Sequence, residues 1–335
     1  MVLATRGGHD GIVKMLLEQE GVGPNKADCL GKTPLSWAAE NGFVEIIRML
    51  FRRKDVNPNT ISKSGRTPFS RAAGAGCGSF VRTVLQREDV NSCGAGESSG
   101  TLSLWGVDCK EIVVMLSEWS DVNPNTADKS GRTPFSWAAG AGCSRIVGAL
   151  LEQNDIDYGS ADKSGRTPFS WAAESGREEI VRMLLGRNDV NPNTPDISGR
   201  TPLSWATKAG HASVVELLLK RNHVNPDTAD LSGRTPFSWA AGRNWGAEVV
   251  AILLRRSDVN PDSADKSGRT PLSWAAEKAS AEIVRMLLER NDINPNTPDK
   301  SGRTPFSWAS MYGGRQCSQA SSPSVFRLGR DGRQV

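Results

Sequence analysis

The dipeptide Thr-Pro recurs at Thr33, Thr67, Thr133, Thr167, Thr201, Thr235, Thr270 and Thr304, and Thr101 followed by Leu102 holds the one missing place. The steps between them are 34, 34, 32, 34, 34, 34, 35 and 34 residues. A domain built round one central core has no reason to repeat at fixed spacing. A stack of like units does, because each covers its apolar face only with its neighbours. The period therefore predicts a solenoid.

Local physics parses each unit, with Asp128 to Asn154 as the type example. Asp128, Lys129, Ser130 and Gly131 form a polar turn cluster. Thr133 offers a hydroxyl as N-cap, and Pro134 brings a fixed φ and no N–H to the first helical position. Phe135, Ala138, Ala139 and Gly142 then recur at i, i+3, i+4 and i+7, a narrow stripe of mostly small residues that lets a second helix approach closely. Gly142 closes this inner helix. Ile146, Val147, Leu150 and Leu151 make the stripe of an outer helix, and Asn154 follows where a left-handed residue is expected, as do Asn188, Asn222 and Asn291. The Val-Asn-Pro-Asn link (Val122 to Asn125, Val190 to Asn193) cannot continue a helix, because proline restricts the residue before it and donates no backbone bond. The fold class is an all-α repeat solenoid of helix–turn–helix units with short β-hairpin or turn links.

At these residues the chain resembles the ankyrin repeat family, whose unit is a turn followed by two antiparallel helices. The turn, the Thr-Pro-Phe step, Trp-Ala-Ala and the Ile-Val-x-x-Leu-Leu helix stand in family order, as from Asp162 to Leu185. The Trp-Ala-Ala variant is most similar to arrays of filamentous fungi. Where the family pattern places a His that joins a polar network between repeats, this chain has Ser36, Ser70, Ser136 and Ser170. Weaker polar coupling between units is therefore expected, with register resting mainly on packing.

The array is assigned to residues 1–314: a half repeat at 1–24, full repeats from about 25, a degenerate repeat at about 91–122 and a final half repeat at about 296–314. Leu3, Ala4, Thr5 and Gly8 align with Trp37, Ala38, Ala39 and Gly42, so the first inner helix lacks its opening turn and the chain is expected to be a fragment of something longer. In the degenerate unit Leu102, Gly106, Val107 and Asp108 replace the usual Pro, Ala-Ala and Gly, which predicts a soft joint. Residues 315–335, rich in Ser, Gly and Arg, are expected to be a disordered tail.

Composition excludes several functions. Lys+Arg 41 against Asp+Glu 37 gives a net charge of only +4, a small footprint for nucleic acid. No apolar run approaches the roughly 20 residues that cross a bilayer. The six cysteines show no paired short spacing and read as free thiols, so the expected location is intracellular and cytoplasmic. His9, His211 and His223 lie on different units, no metal or nucleophile motif exists, and the Gly-rich stretch from Gly94 to Gly100 lacks the strand and Gly-Lys-Ser/Thr of a phosphate loop. Neither cofactor, metal nor catalytic residue is expected.

Trp37, Trp105, Trp137, Trp171, Trp205, Trp239, Trp274 and Trp308 occupy one repeat position, interrupted by Arg71. An aromatic stripe can anchor a peptide or stack on bases. A residue present in nearly every unit, though, more naturally serves the stacking contact that every unit shares. Arg66, Arg132, Arg166, Arg200, Arg234, Arg269 and Arg303 form a parallel row, and an Asp four residues before most of them suggests local pairing rather than phosphate binding. Specificity is expected where units differ: at the turn positions Lys63, Lys129, Lys163, Ile197, Leu231, Lys266 and Lys300, and at the inner-helix positions Glu40, Glu174, Lys208 and Glu277. These are the predicted partner-binding residues of a monomeric, non-enzymatic scaffold that binds a protein of unknown identity through its hairpin tips and concave inner-helix face. The resemblance also implies an alternative, because fungal arrays of this kind often follow an ATPase or nucleoside-phosphorylase-like module. The chain would then be the recognition arm of a larger receptor.

Overall fold

The computed structural model describes residues 1–19, 21–75, 123–153, 155–221 and 223–316. The chain divides into two compact units, Met1–Asp196 and Ile197–Val335. Among the described residues the regular structure is helical throughout. In the first unit the inner helices Val2–Arg6, Pro34–Asn41, Pro134–Ala141 and Pro168–Glu174 pair with outer helices at Asp10–Glu18, Val44–Phe51, Ser144–Leu151 and Glu178–Leu185, and a further inner helix spans 68–75. The second unit repeats the scheme, with inner helices Pro202–Ala209, Pro236–Ala241, Pro271–Glu277 and Pro305–Gln316 and outer helices Ala212–Leu219, Ala247–Leu254 and Ala281–Leu288. Within each unit, inner helix packs on inner and outer on outer, as Pro134–Ala141 does on Pro168–Glu174 and Ala212–Leu219 on Ala247–Leu254.

Each inner helix begins as its sequence dictates. Thr133 has extended backbone (φ −78°, ψ 163°), its hydroxyl accepts from the Ser136 N–H, and Pro134 takes the first helical position. The same cap forms at Thr33, Thr167, Thr201, Thr235 and Thr270. Ser136 Oγ lies 3.2 Å from Thr133 Oγ1, so the serine at the family's His position turns inward to its own cap. Gly142 closes the helix in left-handed conformation (φ 87°). Phe135, Ala138 and Ala139 are buried against Ile146, Val147 and Leu150, and the small alanines permit that approach.

The left-handed role expected of the asparagines after the outer helix does not hold at Asn188 or Asn291. Among the described residues Ala279 (φ 53°) is the one non-glycine with positive φ, while Asn154 and Asn222 lie outside them. The outer helices leave through right-handed residues such as Gly186 and Glu289. An arginine then holds the aspartate two residues on. Arg187 reaches Asp189 through Nε (2.8 Å) and Nη2 (2.7 Å), and Arg290 reaches Asp292 in the same way.

The links between units are tight turns. The Asp128 N–H donates to Arg132 O (3.0 Å), the Gly131 N–H to Asp128 O (2.9 Å), and the next turn docks through the Lys163 N–H on Ser130 O (2.9 Å). Gly131 (φ 84°) is required twice over: a Cβ there would also lie 2.7 Å from Lys163 N. Polar coupling between units is therefore stronger than the missing histidines led us to expect. Turn backbones bond to one another, and Arg53 Nη1 and Arg256 Nη1 donate to Leu17 O (2.7 Å) and Leu219 O (2.6 Å), carbonyls at the ends of the preceding outer helices. Asn25 and Asn125 bridge to Asp55 O and Asp155 O on the following link.

The degenerate repeat lies outside the described residues, as does the tail beyond Gln316. On either side of that repeat the turns meet directly. The Lys129 N–H donates to Ser64 O (3.3 Å), and a Cβ on Gly65 would lie 2.4 Å from Lys129 N.

Candidate functional site

The turn aspartate organises the surface that the repeats share. Asp128 Oδ1 accepts from the Ser130 N–H (2.9 Å), the Ser130 hydroxyl (2.6 Å) and the Arg132 N–H (3.1 Å), while Oδ2 accepts from Trp137 Nε1 (3.0 Å). Burial alone would raise the Asp128 pKa, but these bonds outweigh it and hold the carboxyl below its usual range. Asp299 follows the same rule more strongly: against burial, Ser301, Arg303 and Trp308 bring it down to about 2. The same indole bond joins Trp37 to Asp28, Trp171 to Asp162, Trp239 to Asp230 and Trp274 to Asp265.

The arginine row fills the gaps between indoles. In the first unit the guanidinium carbon of Arg66 lies 4.1 Å from the Trp137 ring centroid, that of Arg132 lies 3.7 Å from Trp137 and 3.9 Å from Trp171, and that of Arg166 lies 3.5 Å from Trp171. In the second unit Arg234 lies between Trp239 (3.7 Å) and Trp274 (3.8 Å), and Arg269 between Trp274 (3.5 Å) and Trp308 (3.9 Å). This alternating cation–π stack covers the indole faces from both sides and makes the tryptophan ladder a cohesive element. The arginine–aspartate pairing read from the sequence takes a different form. Asp128 holds the backbone N–H of Arg132, and the guanidinium goes to the tryptophans.

What closes the guanidinium edge varies from repeat to repeat, and the residue eight positions on decides it. Glu174 pairs with Arg166 and Glu277 with Arg269. Glu40 accepts from Lys32 (2.7 Å) and from Arg71 of the next repeat (2.7 Å). Where that position is glycine, at Gly74, Gly140 and Gly242, the arginine Nη2 folds back on a carbonyl of its own helix: Arg66 on Ser70 O (2.9 Å), Arg132 on Ser136 O (3.0 Å) and Arg234 on Ser238 O (2.8 Å). Burial pushes Arg132 and Arg234 down to about 10, with neighbouring aspartates opposing the shift. Sequence reasoning missed this alternation, although its signal was present in the fixed spacing of eight from Arg or Lys to Glu or Gly. It also missed a paired departure. In one repeat Ser62 replaces the turn aspartate and Arg71 replaces the tryptophan, and Arg71 Nη2 donates to Ser62 Oγ (2.9 Å).

Of the predicted partner-binding residues, the structure brings the turn set to the surface. Lys63, Lys129, Lys163, Lys266 and Lys300 are exposed, as are Ile197 (68% exposed) and Leu231 (64% exposed), both unusual for their residue types. Glu40, Glu174, Lys208 and Glu277 are half-buried beside the ladder. The three glutamates pair within the chain, and Lys208 Nζ lies 4.4 Å from the Trp205 ring. Among the described residues no three His, Cys, Asp or Glu side chains gather as a metal ion would need, and no helix is long and apolar enough to cross a membrane.

A family model described as ankyrin repeats in three copies matches residues 1–92, 105–196, 187–265 and 243–320. No curated protein matches the chain.

Proposed function

The chain belongs to the ankyrin repeat family, whose members are generally protein–protein interaction modules, and from that premise we propose that it is a non-enzymatic scaffold holding a protein partner on its turn tips and inner-helix face. The observation that supports this reading is the exposure of the variable turn residues on a frame that is otherwise fixed. Lys129 and Lys163 stand one turn apart with their backbones tied through Lys163 N–H and Ser130 O, and Ile197 and Leu231 are tied in the same way through Leu231 N–H and Ser198 O (2.8 Å). Such a frame presents side chains at set intervals, and a partner meets little ordering cost on this side of the interface.

The test is capture from host extract with the intact chain, the pair Lys129→Glu with Lys163→Glu, and the pair Ile197→Asp with Leu231→Asp. A control variant, Glu179→Lys, changes an exposed outer-helix residue. The tip variants should lose partners that the wild type and the control retain, at unchanged melting temperature. Identical capture by all four proteins would dismiss the tips as the binding surface.

A further inference from the structure

The repeats differ in whether the chain itself supplies a carboxylate to the stacked arginine. Arg166 and Arg269 receive one from Glu174 and Glu277. Arg66, Arg132 and Arg234 have glycine at the matching position and bond a neutral carbonyl instead. Arg132 and Arg234 each lie between two tryptophan rings, whereas Arg66 has Trp137 on one face, so at Arg132 the edge is the approach left open, and that planar edge suits a carboxylate arriving in the ring plane. The buried Nε atoms of Arg66, Arg132 and Arg234 have no hydrogen-bond partner, and neither has that of Arg269 beside Glu277, so what sets the glycine repeats apart is the partner of Nη2. Asp128 and Asp162 offset the Arg132 charge through space, as Glu40 and Asp128 do that of Arg66, while the Nη2 edge of each bonds only a neutral carbonyl.

Arg66 and Arg132 occupy neighbouring repeats of the first unit, because the turn at 62–66 docks on that at 128–132. Both guanidinium carbons lie over the same Trp137 ring, at 4.1 and 3.7 Å from its centroid, and so stand within about 8 Å of one another. Alternate residues of an extended peptide are separated by about 7 Å and point the same way. Beside them, the single Glu40 is shared between the largely buried Lys32 and Arg71, so that Lys32, Arg66, Arg71 and Arg132 have Glu40, Asp128 and Asp162 among their near carboxylates.

We propose that the glycine repeats at Gly74 and Gly140 bind an extended acidic peptide whose alternate Glu or Asp side chains complete Arg66 and Arg132 as Glu174 and Glu277 complete Arg166 and Arg269. The proposal rests on the scaffold reading and names the chemistry of its partner. The chain's own use of carboxylates at this edge favours a peptide over a nucleic acid, as does the modest net charge of +4.

The glycine-to-glutamate exchange supplies the test. A Cβ on Gly140 would meet Arg132 Nη2 at 2.9 Å, the end of a flexible side chain, and Trp171 Cβ at an ordinary 3.5 Å, so Gly140→Glu should install the missing carboxylate without disturbing the helix. Fluorescein-labelled Gly-Glu-Gly-Glu-Gly, its glutamine counterpart and an oligothymidylate would be titrated by anisotropy against the full chain, Gly140→Glu and Glu174→Gly. The acidic peptide should bind at least about tenfold tighter than the glutamine peptide. Gly140→Glu should weaken it by about tenfold, and Glu174→Gly should strengthen it by opening a further arginine, Arg166, adjacent to Arg132. Equal affinity for the two peptides, indifference to both substitutions with unchanged melting temperature, or tighter binding of the oligothymidylate would each overturn the proposal. Loss of capture in the tip variants alongside any of these results would leave the scaffold reading standing and the acidic site refuted.

Discussion

At the scale of single residues, the most telling contrast is between the asparagines and the aspartates of the inter-repeat links. Asn25 and Asn125 donate Nδ2–H to Asp55 O (2.5 Å) and Asp155 O (2.6 Å) and accept from Asn57 N–H and Asp157 N–H. In Asp227 and Asp262 the donor is replaced by a carboxylate oxygen, Oδ1, buried with no hydrogen-bond partner. Burial raises both pKa values, with Asp258 and Asp292 adding repulsion. A carboxyl whose folded pKa is raised contributes stability that is fully present below its unfolded pKa and lost as pH rises through the folded value. Asp227→Asn and Asp262→Asn should therefore each stabilise the protein by about 1 kcal/mol at pH 7 and by less at pH 3, read as denaturant midpoints at the two pH values. The turn aspartates behave oppositely. Asp128, Asp230 and Asp299 have lowered values, so their contribution is present above the unfolded pKa near 3.8 and lost as pH falls through the folded one, at about 2 for Asp299. Acid unfolding should begin below pH 4 and advance as these turns protonate. Cooperative unfolding centred near pH 6 would contradict this assignment. None of it could be read from the sequence, where Asn and Asp at the link look interchangeable.

For helices and turns, legibility followed the range of the interaction. Caps such as Thr133 to Ser136, Pro134 at the first position and left-handed Gly142 are local, and each stands where the sequence placed it. The asparagine expectation failed because the outer helix ends by a longer-range device. Arg256 holds Asp258 through Nε (2.8 Å) and Nη2 (2.6 Å) while Nη1 reaches back to Leu219 O (2.6 Å), capping the preceding outer helix from 37 residues away. Arg53 and Asp55 do the same toward Leu17 O. The recurring Arg-x-Asp was visible in the sequence, but its third bond was not. Arg256→Ala removes the carbonyl's donor and frees the Asp258 charge, and should destabilise by about 1–2 kcal/mol. Arg256→Lys, which lacks the planar fork, should recover only part of this in urea titrations. A neutral Arg256→Ala would reduce the clamp to a surface ion pair of no consequence.

On the scale of the whole molecule, the sequence period and the structural period part company between Thr67 and Thr133. The sequence counts two units there, one of them degenerate. In the first compact unit, among the described residues, the turn around Gly65 meets the turn around Lys129 directly. The sequence offers a way to test this. Removing residues 78–109 would join Cys77 to Lys110 and leave Thr67 and Thr133 one regular 34-residue step apart, with Ile112, Val113, Met115 and Leu116 in the positions that Ile180, Val181, Met183 and Leu184 hold in the outer helix Glu178–Leu185. The shortened chain should keep the helical signal per residue of its remaining repeats and melt within a few degrees of the parent. A collapse of the circular dichroism spectrum would mean that the removed residues hold the two turns together.

Mechanical unravelling would expose the same irregularity. Drawn out from its ends, a stack secured only between neighbours yields one unit at a time, and a released unit of 34 residues lengthens the chain by about 12 nm. The Lys129 N–H grips Ser64 O while 66 positions separate Thr67 from Thr133, so the length let out when that contact parts would read how many of them it holds: about 23 nm for all, about 12 nm for one regular unit. In an optical trap the height of that one tooth is the readout.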